Sequence, residues 1–120
     1  MNFNSDFKYD LKVGQVAEKE LAELLGKRIE VKNDQKAHIT GNVFIEYESR
    51  GKKSGIATSE AEYYCIVIMG NRFIILPSKQ LKQICRKYIG TNRDVLGGDS
   101  NTSKGILLPL KDLLYEDTSD

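Results

Sequence analysis

The chain has 120 residues, enough for one compact domain around a single modest core. Its 18 basic and 17 acidic residues give a formal net charge of +1, and 40% hydrophobic with 29% charged residues is an ordinary globular composition. A near-neutral total says little about nucleic acid, since an acidic site can sit between basic flanks, so the distribution of charge matters more than its sum. The 2 cysteines, Cys65 and Cys85, lie in no CxxC and beside no partnered histidine, which argues against a zinc or redox motif and for reduced, buried thiols. MNFNSDFKYD has no apolar segment of the signal-peptide kind, and runs such as YYCIVIMG fall short of a membrane span, so a soluble, cytoplasmic protein is expected.

Residues 1–10 read as an N-terminal arm. From Val13 the apolar residues Val13, Val16, Ala17, Leu21, Leu24 and Leu25 recur at helical spacing, and Gly26 supplies the stop. RIEVKND alternates as a strand, 36–40 is a connection, and Gly41-Asn42 marks a bend before a second strand, Val43 to Ser49. The two strands are expected to pair antiparallel. SRGKKSG reads as a basic turn, and Ser59 with Glu62 has the spacing of a capping box for a short helix through Ala61 to Tyr64. YCIVIMG and RFIILP read as a hairpin about Gly70-Asn71, apolar enough to be buried on both faces.

Ser78 is expected to cap a helix over 79–89, with Leu81, Ile84, Cys85 and Tyr88 on one face. Residues 91–104 are rich in glycine and polar side chains and read as a flexible loop. GILLPL reads as a strand, LKDLL as a turn of helix, and 115–120 as a frayed acidic tail. The whole is a single domain over 1–120, an α/β sandwich with a central mixed β-sheet flanked by helices.

The chemistry concentrates on VFIEYES. Alternation along a strand puts Glu46 and Glu48 on one face, and Asp34, at the end of the preceding strand, approaches Glu46 if the two strands pair. Gathered carboxylates repel unless a cation neutralises them, and Mg²⁺ needs only two or three such oxygen ligands because it keeps several waters. The basic turn follows at once: Arg50, Lys52 and Lys53 supply cations, Gly51 and Gly55 allow close backbone approach, and Ser54 lies with them as a contact for a phosphate backbone. The bland alternative, a solvated strand face beside an exposed turn, carries about equal weight from the residues alone.

Asp34, then Glu46-Tyr47-Glu48, with Ala17-Glu18 on a preceding helix, resemble the PD-(D/E)XK nuclease superfamily. TGNVFIEYESRGKKSGIATSEAEYY looks like its small phage-type and Holliday-junction-resolvase-like members, over roughly residues 11–90. The resemblance implies a restriction-endonuclease-like fold and Mg²⁺-dependent hydrolysis of DNA phosphodiesters by a metal-activated water, with Mn²⁺ substituting. It implies Asp34 as the central metal-bridging aspartate, Glu46 as second ligand, and Glu18 as the helix glutamate; helical position alone slightly favours Glu20. Glu48 would stand, as a further ligand, where the family has lysine, and Asn33 where it has proline. Lys32, on the strand face of Asp34, or Lys53 would supply the missing cation. A second alignment takes Glu30-Val31-Lys32 as the E-x-K motif, but its upstream aspartate, Asp10, lies beyond a helix. The implied partner is duplex or branched DNA in the cytoplasm, the host's if the chain is phage-encoded. A homodimer would give the two sites that cutting a duplex requires.

His38 reads as a solvated loop histidine near Asp34, one or both of Tyr63 and Tyr64 as core, and Lys79, Lys82 and Arg86 as a basic helix face. The rival functions are a non-catalytic nucleic-acid-binding module on the same fold, and a structural or interaction protein.

Overall fold

The computed structural model describes residue 23, residues 26–34 and residues 36–114. The arm, the helix expected from Val13 with its Glu18 and Glu20, and the tail at 115–120 lie outside them, apart from Glu23. Among the described residues seven strands form two sheets. The first contains β1 (Ile29–Asn33), β4 (Tyr63–Met69) and β5 (Arg72–Pro77) in the order β1-β4-β5, with β1 parallel to β4 and β4 antiparallel to β5. The second is antiparallel and contains β2 (Asn42–Ser49), β3 (Lys52–Lys53), β6 (Asp94–Gly97) and β7 (Ser103–Pro109) in the order β3-β2-β7-β6. The helices α1 (Ala37–Thr40) and α2 (Ser78–Arg86) join them, and Glu23 is also helical, giving an α/β arrangement with one mixed and one antiparallel sheet among the described residues.

The expected pairing of β1 with β2 is not made, because the segment between them is no hairpin turn. It coils into α1, buries Ala37, and leaves through Gly41 at φ 75, which sends β2 into the other sheet. β1 pairs instead with the apolar β4. The two sheets meet in one core: Val43, Ile45, Ile106 and Leu108 from the second, Tyr64, Ile66 and Leu76 from the first. Ala37 of α1, Leu81 and Cys85 of α2, and Ile56 of a 3₁₀ turn (Gly55–Ala57) close it. Full burial of residues such as Ile66, Leu81 and Ile106 contributes about 2 kcal/mol each.

The hairpin about Gly70-Asn71 forms as expected, with Gly70 at φ 56. Burial on both faces does not follow. Tyr64, Ile66 and Leu76 face the core, while Phe73, on the opposite side of the same sheet, is 54% exposed. The buried residues of α1 and α2 go into the core, so among the described residues these helices cover that side.

Three other expectations change. Residues 91–104 are not a loop: they hold β6, a 3₁₀ turn (Asp99–Asn101) and the start of β7. Polar side chains do the ordering there, as Arg93 donates to the Asn42 side chain at 2.9 Å and to the Leu107 carbonyl at 2.8 Å. Ser59 starts no helix, since its Oγ accepts the Ala61 N–H in a local turn and the chain extends directly into β4. Ser78 opens α2 without capping it: its Oγ is buried with no hydrogen-bond partner among the described residues. No helix among the described residues is long and apolar enough to cross a membrane.

Candidate functional site

Asp34 stands just past the end of β1 and ties the two sheets together. Its Oδ1 accepts the Lys36 N–H at 3.0 Å, the local turn that starts α1, and its Oδ2 accepts the Phe44 N–H of β2 at 3.2 Å. A carboxylate has about four acceptor positions, so two backbone donors leave each oxygen a further lone pair. The convergence of Asp34 on β2 that strand pairing was to supply is thus achieved by a side chain reaching across.

Glu46 lies two residues beyond Phe44 on the same side of β2, and its Oε2 accepts the Ser54 hydroxyl at 2.9 Å. The turn that delivers Ser54 is a two-residue hairpin, with Ser49 paired to Lys52 and Arg50-Gly51 at φ 51 and 79. Ser54 donates its N–H to the Tyr47 carbonyl, and the chain then presses onto β2 at Gly55. A Cβ on Gly55 would overlap the Glu46 carbonyl oxygen, and its φ of 52 is left-handed. Within the chain the close backbone approach is made at Gly55, whereas nothing lies within 4 Å of a Cβ built on Gly51. The hydroxyl of Ser54 is thus engaged with the Glu46 carboxylate.

Glu48 departs from Glu46. The register of β2 against β7 slips by one residue between them, so that Glu46 pairs with Gly105 and Glu48 with the adjacent Lys104. Adjacent residues of a strand point to opposite faces, so this bulge at Tyr47 separates the two glutamates to opposite sides of the sheet. The Glu48 carboxylate lies 3.6 Å from the Lys104 ammonium, with Lys53 paired across from it on β3. The one-face geometry expected of VFIEYES is corrected accordingly, and Glu48 does not join Glu46 and Asp34.

A different pair does join Glu46. Glu30 and Lys32 pair with Tyr64 and Ile66, so they share the inner face of β1 at the edge of the first sheet. Burial raises the Tyr64 phenol, a hydrogen bond with Ser59 opposes the rise, and the charge of Glu30 adds to it. A cavity of about 290 Å³ between the sheets is lined by Glu30, Lys32, Phe44, Glu46 and Gly55. Glu30 and Lys32 of the second alignment's E-x-K motif thus line the same cavity as the glutamate of the first, which alternation from the wrong strand pairing did not reveal. Among the described residues no three His, Cys, Asp or Glu side chains gather as a metal-holding group.

Of the remaining residues, His38 is exposed on α1, and Tyr64 is core while Tyr63 is half-buried. Lys52, Lys53 and Arg50 are exposed on the hairpin. No local pattern singles out Asp94, which accepts the Tyr47 hydroxyl at 2.6 Å and the Gly90 N–H at 2.9 Å. That bond, with burial second, pushes the Tyr47 phenol up to about 12. Burial likewise pushes the Cys85 thiol up to about 12, so it is no nucleophile at neutral pH. Searches against protein-family models, curated proteins and solved structures find no match to this chain.

Proposed function

We propose that the chain is a Mg²⁺-dependent nuclease of the restriction-endonuclease-like kind, hydrolysing DNA phosphodiesters at the cavity between β1 and β2. The observation that carries this reading is the Asp34 Oδ2 to Phe44 N–H hydrogen bond, 3.2 Å, which fastens one carboxylate to β2 beside Glu46. The donor set is hard oxygen throughout, and Mg²⁺ is commonly held by one or two carboxylates plus waters, so Asp34 and Glu46 fit the ion. When bound, Mg²⁺ supplies Lewis-acid activation of water and stabilises the departing oxygen.

The chain's own residues do the rest. Ser54 orients Glu46 through its hydroxyl. Lys32, lining the same cavity, supplies the cation that Glu48 cannot, and Glu30 adds a carboxylate beside it. Arg50, Lys52 and Lys53, presented by the hairpin next to Ser54, hold the phosphate backbone. Glu18 would contribute from outside the described residues.

The test is Mg²⁺-dependent cleavage of supercoiled and branched DNA by Asp34→Asn and Glu46→Gln. Glu46→Gln keeps an acceptor for the Ser54 hydroxyl, whereas Asp34→Asn keeps one oxygen for the two N–H groups of Lys36 and Phe44, so circular dichroism checks that each variant is folded. A loss of about 100-fold or more is expected in each, a typical cost for removing transition-state charge stabilisation. Parent-like cleavage by both folded variants would sink the assignment. DNA binding without any cleavage in Mg²⁺ or Mn²⁺ would favour the non-catalytic module.

A further inference from the structure

A second cavity, also of about 290 Å³, opens on the other side of Ile56, which lines both. It is floored by Tyr47, Ile89 and Ile106 and rimmed by Lys53, Lys82 and Arg86. Lys82 and Arg86 are one helical turn apart on α2, and Lys53 comes from β3, so two separate elements bring three cations to one rim. No acidic side chain lines it, and none of the three cations has a hydrogen-bond or ion-pair partner among the described residues. Glu48, opposite Lys53, is taken by Lys104. Ile89 on the floor is 51% exposed.

Unpaired cations around an apolar, partly aromatic floor match a ligand with one anionic end and one flat apolar body. The size is at the lower end of small-molecule sites, which suits one nucleotide and not a duplex. We infer that this cavity binds a nucleoside phosphate unit, its base on the floor beside Tyr47 and its phosphate against Lys53, Lys82 and Arg86. Base-on-aromatic contact with a cationic rim is how single strands are held without sequence preference. The unit comes either from a single-stranded oligonucleotide or from a free nucleotide. The inference shares Lys53 with the nuclease reading but does not rest on it, because it uses neither Asp34, Glu46 nor a metal, and its test is made on Lys82 and Arg86.

The test is fluorescence anisotropy of a short labelled oligothymidylate in EDTA, where no metal-dependent cleavage intervenes. The double variant K82E/R86E should weaken binding by about tenfold or more and flatten the salt dependence by about 1.4 in log–log slope, the share of two phosphate contacts on a single strand. K79E/K111E, with the same charge change on exposed residues that do not line the cavity, should stay within about twofold. Ile89→Ser should weaken binding about threefold with the slope unchanged, as loss of floor contact requires. Competition by thymidine monophosphate at comparable affinity assigns the site to free nucleotides, and competition only by oligonucleotides assigns it to a strand. Equal weakening by both double variants, parent-like binding by K82E/R86E, equal competition by polyglutamate, or no binding at all overturns the inference.

Discussion

The two cavities that meet at Ile56 are of equal size and opposite character. One has Glu30 and Glu46 with a single lysine and is closed by a glycine pressed against the backbone of β2. The other has three cations, no carboxylate, and an apolar floor. A formal net charge of +1 conceals this separation, since acidic and basic residues cancel in the sum while occupying different faces. The bulge at Tyr47 draws the boundary: Glu46 turns toward the first cavity, while Tyr47 floors the second.

The contrast breaks most completely at Gly55. Gly55→Ala forces a side chain onto the Glu46 carbonyl at a left-handed φ, so the turn must leave β2. A loss of about 3 kcal/mol in stability is expected, read by urea denaturation, together with loss of metal-dependent cleavage. A cost below about 1 kcal/mol would show that the turn does not rest on β2 as described.

Tyr47 tests the second cavity. Tyr47→Phe removes a hydrogen bond to a carboxylate and should cost about 1–2 kcal/mol near neutral pH. The folded phenol sits at about 12 against an ordinary 10.0, so its contribution is whole below pH 10 and is lost as pH rises through 12. The stability difference between parent and Tyr47→Phe should therefore shrink across that window. Absorbance titration at alkaline pH should lose a late-ionising tyrosine in the variant, and an unchanged titration curve would remove Asp94 as the cause.

The smallest effect is expected where the bulge has set Glu48 aside. Its pair with Lys104 is exposed, so Lys104→Ala should cost less than about 1 kcal/mol, screened further by salt. Cleavage should stay at the parent level, unlike in Glu46→Gln. A drop comparable to that of Glu46→Gln would return Glu48 to the reacting centre.

Periodicity made β1, β2, the β4–β5 hairpin, α2 and β7 legible, because each element's alternation or helical spacing is a local property of the chain. It also marked Asp34, Glu46 and the basic turn as worth explaining. The loop read at 91–104 hid a strand because β6 is ordered by distant partners: Asp94 meets Tyr47, and Arg93 meets Asn42 and Leu107. The fate of the two glutamates was equally out of reach. Period-two alternation predicts a shared face for Glu46 and Glu48, and a single extra residue opposite β7 reverses it. Strand register depends on which partner a strand finds, a long-range choice no local pattern encodes. By itself the sequence determined which residues carry charge and where the strongly periodic strands β1, β2, β4, β5 and β7 and the helix α2 run. Only the tertiary structure decided that Asp34 reaches β2 through a hydrogen bond, that Glu30 and Lys32 line one cavity with Glu46, and that Glu48 does not.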